Sequence, residues 1–336
     1  MLTKKNFSLK NFTTMAIGGP AKYFLVVKNE TELLDALKFA KAKKLPWYVV
    51  GEGSNLVVND RGFQGIIIQN KIPRFDLSPT LPRPGEGGRM AGRGRIVVGA
   101  GNNLLKTIFR LNRLGLAGME RMAGIPGTVG GAIYGCAGAY GQEIKDRLVS
   151  VQIWDGRKFR NLTKKQCRFG YRESIFKKNK KWIIIEAAFK FKNLDSVSLQ
   201  RRASGAGMTK SRLMEISRDI IKLREKKYKP GLKCPGSFFK NIKISDIQPA
   251  TLRQKFVKKI PSARIMYGKV AAGYLLEQVH AKGLRQGDIR VAAHHANLIY
   301  NPNGGKSADV RKLARKMKKM IKAKFGIKIE EEVQYL

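Results

Sequence analysis

Acidic residues are scarce in this chain. Asp and Glu total 24 against 67 Lys and Arg across 336 residues, a formal net charge of +43. Cysteine is scarcer still, with only Cys136, Cys167 and Cys234. An odd count without any Cys-x-x-Cys spacing suggests neither a disulfide framework nor a zinc ribbon. It fits a reducing, cytoplasmic setting. Long apolar runs are missing: none approaches the roughly 18 residues that mark a membrane span. Met1 to Phe12 carries lysines with no apolar core behind them, so a secretory leader is not expected. Phosphate-binding signatures are wanting as well. No Walker A sequence occurs. Gly51-Glu52-Gly53 and Gly99-Ala100-Gly101 each follow a candidate strand and begin like a dinucleotide fingerprint. Their third-glycine positions, 56 and 104, are both leucine, which excludes the standard Rossmann loop. His294-His295 has no third ligand partner, and adjacent histidines on a strand point to opposite faces, so no metal site is expected.

An excess of positive charge normally points to a polyanion such as nucleic acid. Here the basic residues run along the whole chain, from Lys4 and Lys5 to Lys324, with no stripe of interleaved aromatics. A solvated basic surface accounts for this better than dedicated nucleic-acid binding, since net charge speaks to solubility and non-specific association. The apolar content of 43% is enough for two or three domains with real cores.

Hydrophobic patterning divides the chain. Tyr23–Val27 reads as a strand. A helix over roughly 32–43 follows, with Asn29 or Thr31 as its cap and Glu32 placed for a capping box. Pro46–Val50 and Ile66–Ile68 read as strands, and residues 71–95 as a loop, rich in Pro and Gly from Ser78 onward. Ile96–Val98 is a strand, after which Asn102 or Asn103 caps a helix carrying Leu104, Leu105, Ile108, Phe109 and Leu111. Val149–Trp154 and Trp182–Phe191 are long strand candidates. A helix over 211–227 is expected to turn Leu213, Ile216, Ile220 and Leu223 to one face. The last helix begins at a Ser307 cap, buries Val310, Leu313, Ala314, Met317, Met320 and Ile321, and ends at Gly326.

Three glycine loops, at 51–55, 99–101 and 124–131, lie in the first 131 residues. Glycine lets backbone N–H groups approach a diphosphate closely and accepts φ > 0. Each loop alone reads as a tight turn. Together they suggest one large anionic ligand touching several loops.

The ordered motifs carry a resemblance. Gly18-Gly19-Pro20-Ala21, Val50–Leu56, Ala123–Ala132 and Gly138-Ala139-Tyr140-Gly141 resemble segments of the UDP-N-acetylenolpyruvoylglucosamine reductase family, which makes UDP-N-acetylmuramate for bacterial peptidoglycan. Phe169–Lys177 is similar to the family's arginine motif, and Gly236–Asn241 to its serine motif. Ala272–Glu277, His295-Ala296-Asn297 and Gly326–Val333 complete the order, from about Asn11 to Val333. Two positions depart from the pattern: Cys136 stands where the family usually has Asn, and Ile242 where it usually has Pro.

The resemblance implies an α+β protein: an FAD-binding domain of the vanillyl-alcohol-oxidase (PCMH) type with a C-terminal α/β substrate-binding domain. The expected division is an FAD-binding region of two α/β subdomains over 1–192, a linker at 193–210 and a substrate-binding domain over 211–325. A strand at 326–336 is expected to return to the flavin site. FAD would be held by Gly51, Gly53, Ser54, Asn55 and Leu56, by Gly124, Ile125, Pro126, Gly127, Thr128, Gly130 and Gly131, and by Gly138. Tyr171, Lys240 and Asn241 would bind substrate, and NADPH would be the reductant. A monomer acting on a small UDP-sugar is expected, with no obligate nucleic-acid partner.

By the same resemblance Arg172, Ser237 and Glu332 are the catalytic positions. The implied substrate carries a C=C bond conjugated to a carboxylate. Hydride addition at its terminal carbon leaves the adjacent carbon electron-rich, with charge spread into the carboxylate. Arg172 suits that charge, because a guanidinium binds a carboxylate bidentately. Ser237 would supply the proton, with Lys240 as a candidate neighbouring cation, and Glu332 would help if protonated or bridged by water. Two rivals remain at this stage. Another FAD oxidoreductase on the same scaffold would not need all three residues, and a nucleic-acid binder would need a concentrated basic face.

Overall fold

Residues 1–77, 95–193 and 209–336 are described by the structure, a computed structural model. The Pro- and Gly-rich stretch at 78–94 and the linker residues 194–208 lie outside the described residues. The chain folds as two units. One comprises Met1–Lys4, Phe24–Glu52 and Ile66–Lys226; the other comprises Lys5–Tyr23, Gly53–Gly65 and Lys227–Leu336. This differs from the expected division, since 5–23 and 53–65 join the C-terminal unit and the helix at 210–227 stays with the first up to Lys226.

In the first unit, Trp47–Val50 pairs in parallel with Phe63–Asn70, from Trp47↔Ile66 to Val50↔Gln69. The helix Glu30–Ala42 starts where expected: Asn29 accepts the Glu32 N–H at 2.8 Å. The capping box is altered, because the Glu32 carboxylate accepts from Lys28 N–H, one residue earlier, and from the Met1 ammonium. A second sheet runs in the order Phe159–Thr163, Leu148–Trp154, Ile183–Lys190, Arg95–Gly99, Phe75–Asp76. Its two long strands are the ones the apolar patterning marked, now antiparallel with Trp154 opposite Ile183. Phe75–Asp76, expected within a loop, instead pairs with Val97 and Val98 as an edge strand.

Helix Leu104–Arg113 packs Leu104, Ile108 and Leu111 into the core behind that sheet, with Asn103 capping the Lys106 N–H. Helix Lys210–Lys227 packs on the same core through Ile220 and Ile221. Its attachment is polar as well as apolar. The buried Asn112 amide donates to Ser217 Oγ and to Leu213 O, and Ser217 Oγ donates to Glu120 O. A buried carboxamide needs such partners, and this is why the helix does not begin a separate domain. Leu223, expected on the apolar face, is 47% exposed.

The second unit is built on helices Ala250–Lys258, Ala272–Gln278 and Ser307–Phe325, with short strands around them. Val310, Leu313, Ala314, Met317 and Ile321 are buried in one core with Phe238, Phe239, Leu275, Leu276 and the N-terminal residues Met15 and Ile17. Each large side chain buried this way contributes about 1.5–3 kcal/mol, more than any exposed ion pair on the lysine-rich outer face. Ser307 does not cap this helix. Asp60 does: its carboxylate accepts from Ser307 N, Ser307 Oγ and Ala308 N. Gly326 ends the helix with φ +76°, as expected. The C-terminal strand Gln334–Tyr335 pairs in parallel with Leu56–Val57. Among the described residues no helix is long and apolar enough to cross a membrane.

Candidate active site

In the first unit the glycine loops meet. Gly51 lies against Thr128 so closely that a Cβ on it would sit 2.5 Å from Thr128 Oγ1. Gln69 Nε2 donates to Gly51 O, and Asn103 Nδ2 donates to the Glu52 carboxylate at 3.0 Å. The loop at 99–103 joins them: Val129 N–H bonds Asn102 O, Gly130 N–H bonds Ala100 O, and Leu104 N–H bonds Gly127 O. Thr128 caps the short helix Val129–Tyr134 by accepting the Gly131 N–H at 3.1 Å. Several N–H groups of the 124–131 loop are thus committed to holding the loops together. Gly131 faces outward, where a Cβ would meet only Thr128 Oγ1, at 3.5 Å. That leaves bare backbone open to a ligand, the fit an extended dinucleotide needs.

Arg172 sits beside this cluster. Its Nη1 donates to Cys136 O at 3.1 Å and its Nη2 to Gly138 O at 2.6 Å, with the Glu143 carboxylate 3.8 Å away. The guanidinium lies 5.1 Å from the Tyr171 ring centroid. Lys177 Nζ donates to Arg172 O at 2.5 Å. Cys136 is fully buried, and burial, reinforced by Glu143, pushes its thiol up to about 11. The departure from the family pattern at 136 therefore contributes a backbone carbonyl and a neutral, packed side chain.

In the second unit the other candidate residues are stitched together by backbone. Glu332 N–H bonds Phe238 O at 2.8 Å, one residue past Ser237, and Phe239 bridges Glu331. Asn55 Nδ2 donates to Glu332 O, and Gln334 N–H bonds Asn55 O. Leu56 stands opposite Gln334 in the parallel ladder. Thr14 Oγ1 lies within bonding distance of both Ser54 O and Cys234 O. Residues 53–56, 237–239 and 331–334, far apart in sequence, form one contiguous group.

Ser237 Oγ has two side-chain neighbours that sequence reasoning missed. Lys227 Nζ donates to it at 3.1 Å, and Tyr228 OH lies 2.9 Å away. Lys240, expected as a neighbouring cation, pairs with Glu330 Oε2 at 2.9 Å. Asn241 Oδ1 accepts the Ala272 N–H at the start of a helix. Nothing in local spacing marks Lys227 and Tyr228. The signal available was their position shortly before the serine motif, at the end of a basic helix.

The segment His294–Asn297 braces this group. His294 Nε2 donates to Lys227 O at 2.8 Å. Asn297 accepts Phe239 N–H through Oδ1, donates to Phe239 O through Nδ2, and accepts Phe238 N–H at its own carbonyl. His295, held low at about 4 chiefly by burial and then by the Lys227 charge, accepts the Asn297 N–H at Nδ1.

Comparison with known proteins follows the same order along the chain. Residues 21–157 match an FAD-binding domain family, and residues 228–336 match the C-terminal domain of UDP-N-acetylenolpyruvoylglucosamine reductase. The chain is 40% identical to the UDP-N-acetylenolpyruvoylglucosamine reductase of Solibacter usitatus, over 98% of this chain and 95% of that one. It is 31% identical to that of Pseudomonas aeruginosa, over 98% and 97%. A crystal structure of the reductase from Thermus caldophilus superposes with a TM-score of 0.69 at 26% identity, covering 99% of this chain and 98% of that one. The chain belongs to the UDP-N-acetylenolpyruvoylglucosamine reductase family, as an α+β, FAD-dependent oxidoreductase of peptidoglycan precursor synthesis with NADPH as the family's reductant.

Proposed function

We propose that Arg172, Ser237 and Glu332 carry the reduction of UDP-N-acetylglucosamine enolpyruvate, and that the chain works in the cytoplasm as a monomer. The observation that carries this reading is the stitching of Asn55, Glu332 and Phe238 into one group, which sets a residue of the expected cofactor loop and two catalytic motifs side by side. FAD, when bound, would supply the hydride, with NADPH as the reductant.

The chain's own residues supply binding, charge and a proton. Gly51, Gly53–Leu56, Gly124–Thr128, Gly130, Gly131 and Gly138 would hold the cofactor. Arg172, held by Cys136 O and Gly138 O, meets the substrate carboxylate with its guanidinium. Negative charge developing there is met by a cation that need not reorient. Ser237 donates its hydroxyl proton to the carbon next to the carboxylate. Glu332 supports the enolate as an acid or through a bridging water. Tyr171, Lys240 and Asn241 contact the substrate around these groups.

The full chain should purify with a flavin spectrum, or take one up with added FAD, and should oxidise NADPH only when the enolpyruvyl substrate is present. A colourless protein that cannot take up FAD refutes the proposal. A flavoprotein inert to this substrate points to a different oxidoreductase on the same scaffold. Ser237→Ala should abolish turnover while leaving the flavin bound.

A further inference from the structure

A serine hydroxyl is a weak acid, and proton donation from Ser237 leaves an alkoxide behind. Stabilising that charge requires donors already aimed at Oγ. The two neighbours of Ser237 meet that need. Lys227 brings an ammonium to 3.1 Å and Tyr228 a phenol to 2.9 Å. The ammonium also lies 5.0 Å from the Tyr228 ring centroid, which favours keeping the two side chains together. With both donating, the two lone pairs of Oγ are engaged and its own hydrogen is turned outward.

The arrangement is built from several directions. His294 pins the backbone of Lys227 through its carbonyl. Asn297 brackets Phe239 on both backbone polar groups and accepts from Phe238. One four-residue segment thereby holds both Lys227 and the chain just after Ser237. The resemblance left the His295-Ala296-Asn297 motif without a role, and this bracing supplies one.

We propose that Lys227 is the positioning residue of Ser237 and refills its proton, with Tyr228 as the second donor to Oγ. This rests on the reading of Ser237 as proton donor. As the C–H bond of the product forms, the Oγ–H bond breaks. Oγ–H is then restored as one Nζ–H bond of Lys227 breaks, and the neutral amine regains a proton from water. No electrons are exchanged in these steps. The ammonium lowers the cost of the alkoxide by a charge-assisted hydrogen bond, about twice as strong as a neutral one.

The test separates the two halves of turnover by anaerobic stopped flow on the FAD-loaded full chain. Flavin reduction by NADPH needs no proton from Ser237, whereas reoxidation by the enolpyruvyl substrate does. Lys227→Met should slow reoxidation by about 100-fold and leave reduction within about 2-fold. Lys227→Arg, which keeps the charge, should recover at least about 10-fold of that loss. Tyr228→Phe should slow reoxidation by about 10-fold, the worth of one hydrogen bond. Because Lys227 acts through Ser237, adding Lys227→Met to Ser237→Ala should cost nothing further.

Three results overturn the inference: unchanged reoxidation in Lys227→Met, an equal added loss in the Ser237→Ala background, or a raised KM with kcat intact. The last two mean that Lys227 binds substrate directly. Unchanged reoxidation in Ser237→Ala alone instead refutes the proton-donor reading. Melting temperature and flavin absorbance report folding independently of rate. If Lys227→Met does not retain FAD, Lys227→Gln and Tyr228→Phe are judged by the same criteria.

Discussion

The packing of Gly51 on Thr128 gives a sharp test of how the cofactor loops are held. The backbone at Gly51 is not in the left-handed region, so alanine is allowed there on conformational grounds. Space is the obstacle. An added Cβ would stand 2.5 Å from Thr128 Oγ1 and 3.2 Å from Cγ2, but 3.4 Å from Cβ. Carbon contacts are normally about 3.5–4.0 Å, so the two outer atoms clash and the inner one barely touches. Overpacking of this kind costs about 1–3 kcal/mol. Loss of glycine freedom in the unfolded chain returns about 0.4–1 kcal/mol, so Gly51→Ala should destabilise by about 1–2 kcal/mol. Thr128→Ala removes both clashing atoms and with them the cap on Gly131, worth about 1 kcal/mol. Independent effects would add. Relief of the clash predicts instead that the double variant loses no more than Thr128→Ala alone, a favourable coupling of about 1–2 kcal/mol. Urea midpoints measure this for folding, and quenching of flavin fluorescence measures it for FAD affinity. Gly51→Ala should bind FAD roughly 5- to 30-fold more weakly, by the same free energy, with affinity recovered in the double variant up to the Thr128→Ala level. Strict additivity in both assays would show that the close approach is not what holds these loops.

Asp60→Ala should cost about 1–2 kcal/mol, read as a lower melting temperature, because three donors at the start of helix Ser307–Phe325 lose their acceptor; Ser307→Ala should cost less, and the reverse ranking would refute the capping role of Asp60. Stability should also depend on His295. Burial, with the Lys227 charge, holds its folded value near 4, below the ordinary 6.5. The unfolded state therefore takes up the proton first, so stability is full above about pH 6.5, falls as pH drops toward 4 and levels off below. His295→Gln should remove this slope in melting temperature against pH, and an unchanged slope would assign it to other groups. Arg172→Lys should retain FAD yet lower kcat/KM by about 100-fold, since an ammonium cannot span two carbonyls and a carboxylate together; near-normal turnover would remove Arg172 from the chemistry.

Much of the fold was legible because it is written in short-range pattern. Asn103 sits directly before its helix and caps it, and the apolar spacing of Val310 to Ile321 is one helical stripe. What was hidden depends on residues distant in the chain. Ser307 looked like a cap, but its helix is capped by Asp60, which no local rule connects to it. Leu223 fits a helical stripe in sequence, yet the face that packs is set by where Asn112 finds Ser217, which leaves Leu223 outside. The candidate site shows the same split. Motif order named Ser237, whereas Lys227, which donates to its hydroxyl, belongs to no motif, and Lys240 pairs with Glu330 through both backbone and side chain.

Position 136 shows what such motifs constrain. The family usually carries Asn there, and this chain carries cysteine. Cys136 has φ +45°, a left-handed conformation that costs most residues about 1–2 kcal/mol and that Asn tolerates best. Arg172, which donates to the Cys136 carbonyl, is itself at φ +56°. Two strained residues thus meet through a backbone acceptor. The turn around Arg172 is closed by reciprocal Gly170 and Glu173 backbone bonds, and Lys177 holds the Arg172 carbonyl. Strain of this kind persists where the surroundings over-determine it. The feature that aims the guanidinium is therefore a carbonyl presented from a left-handed residue. Asn meets that need at the least conformational cost. Cysteine meets it at a somewhat higher cost, offset by burial of a thiol that stays neutral, so the substitution leaves Arg172 with both of its carbonyl acceptors.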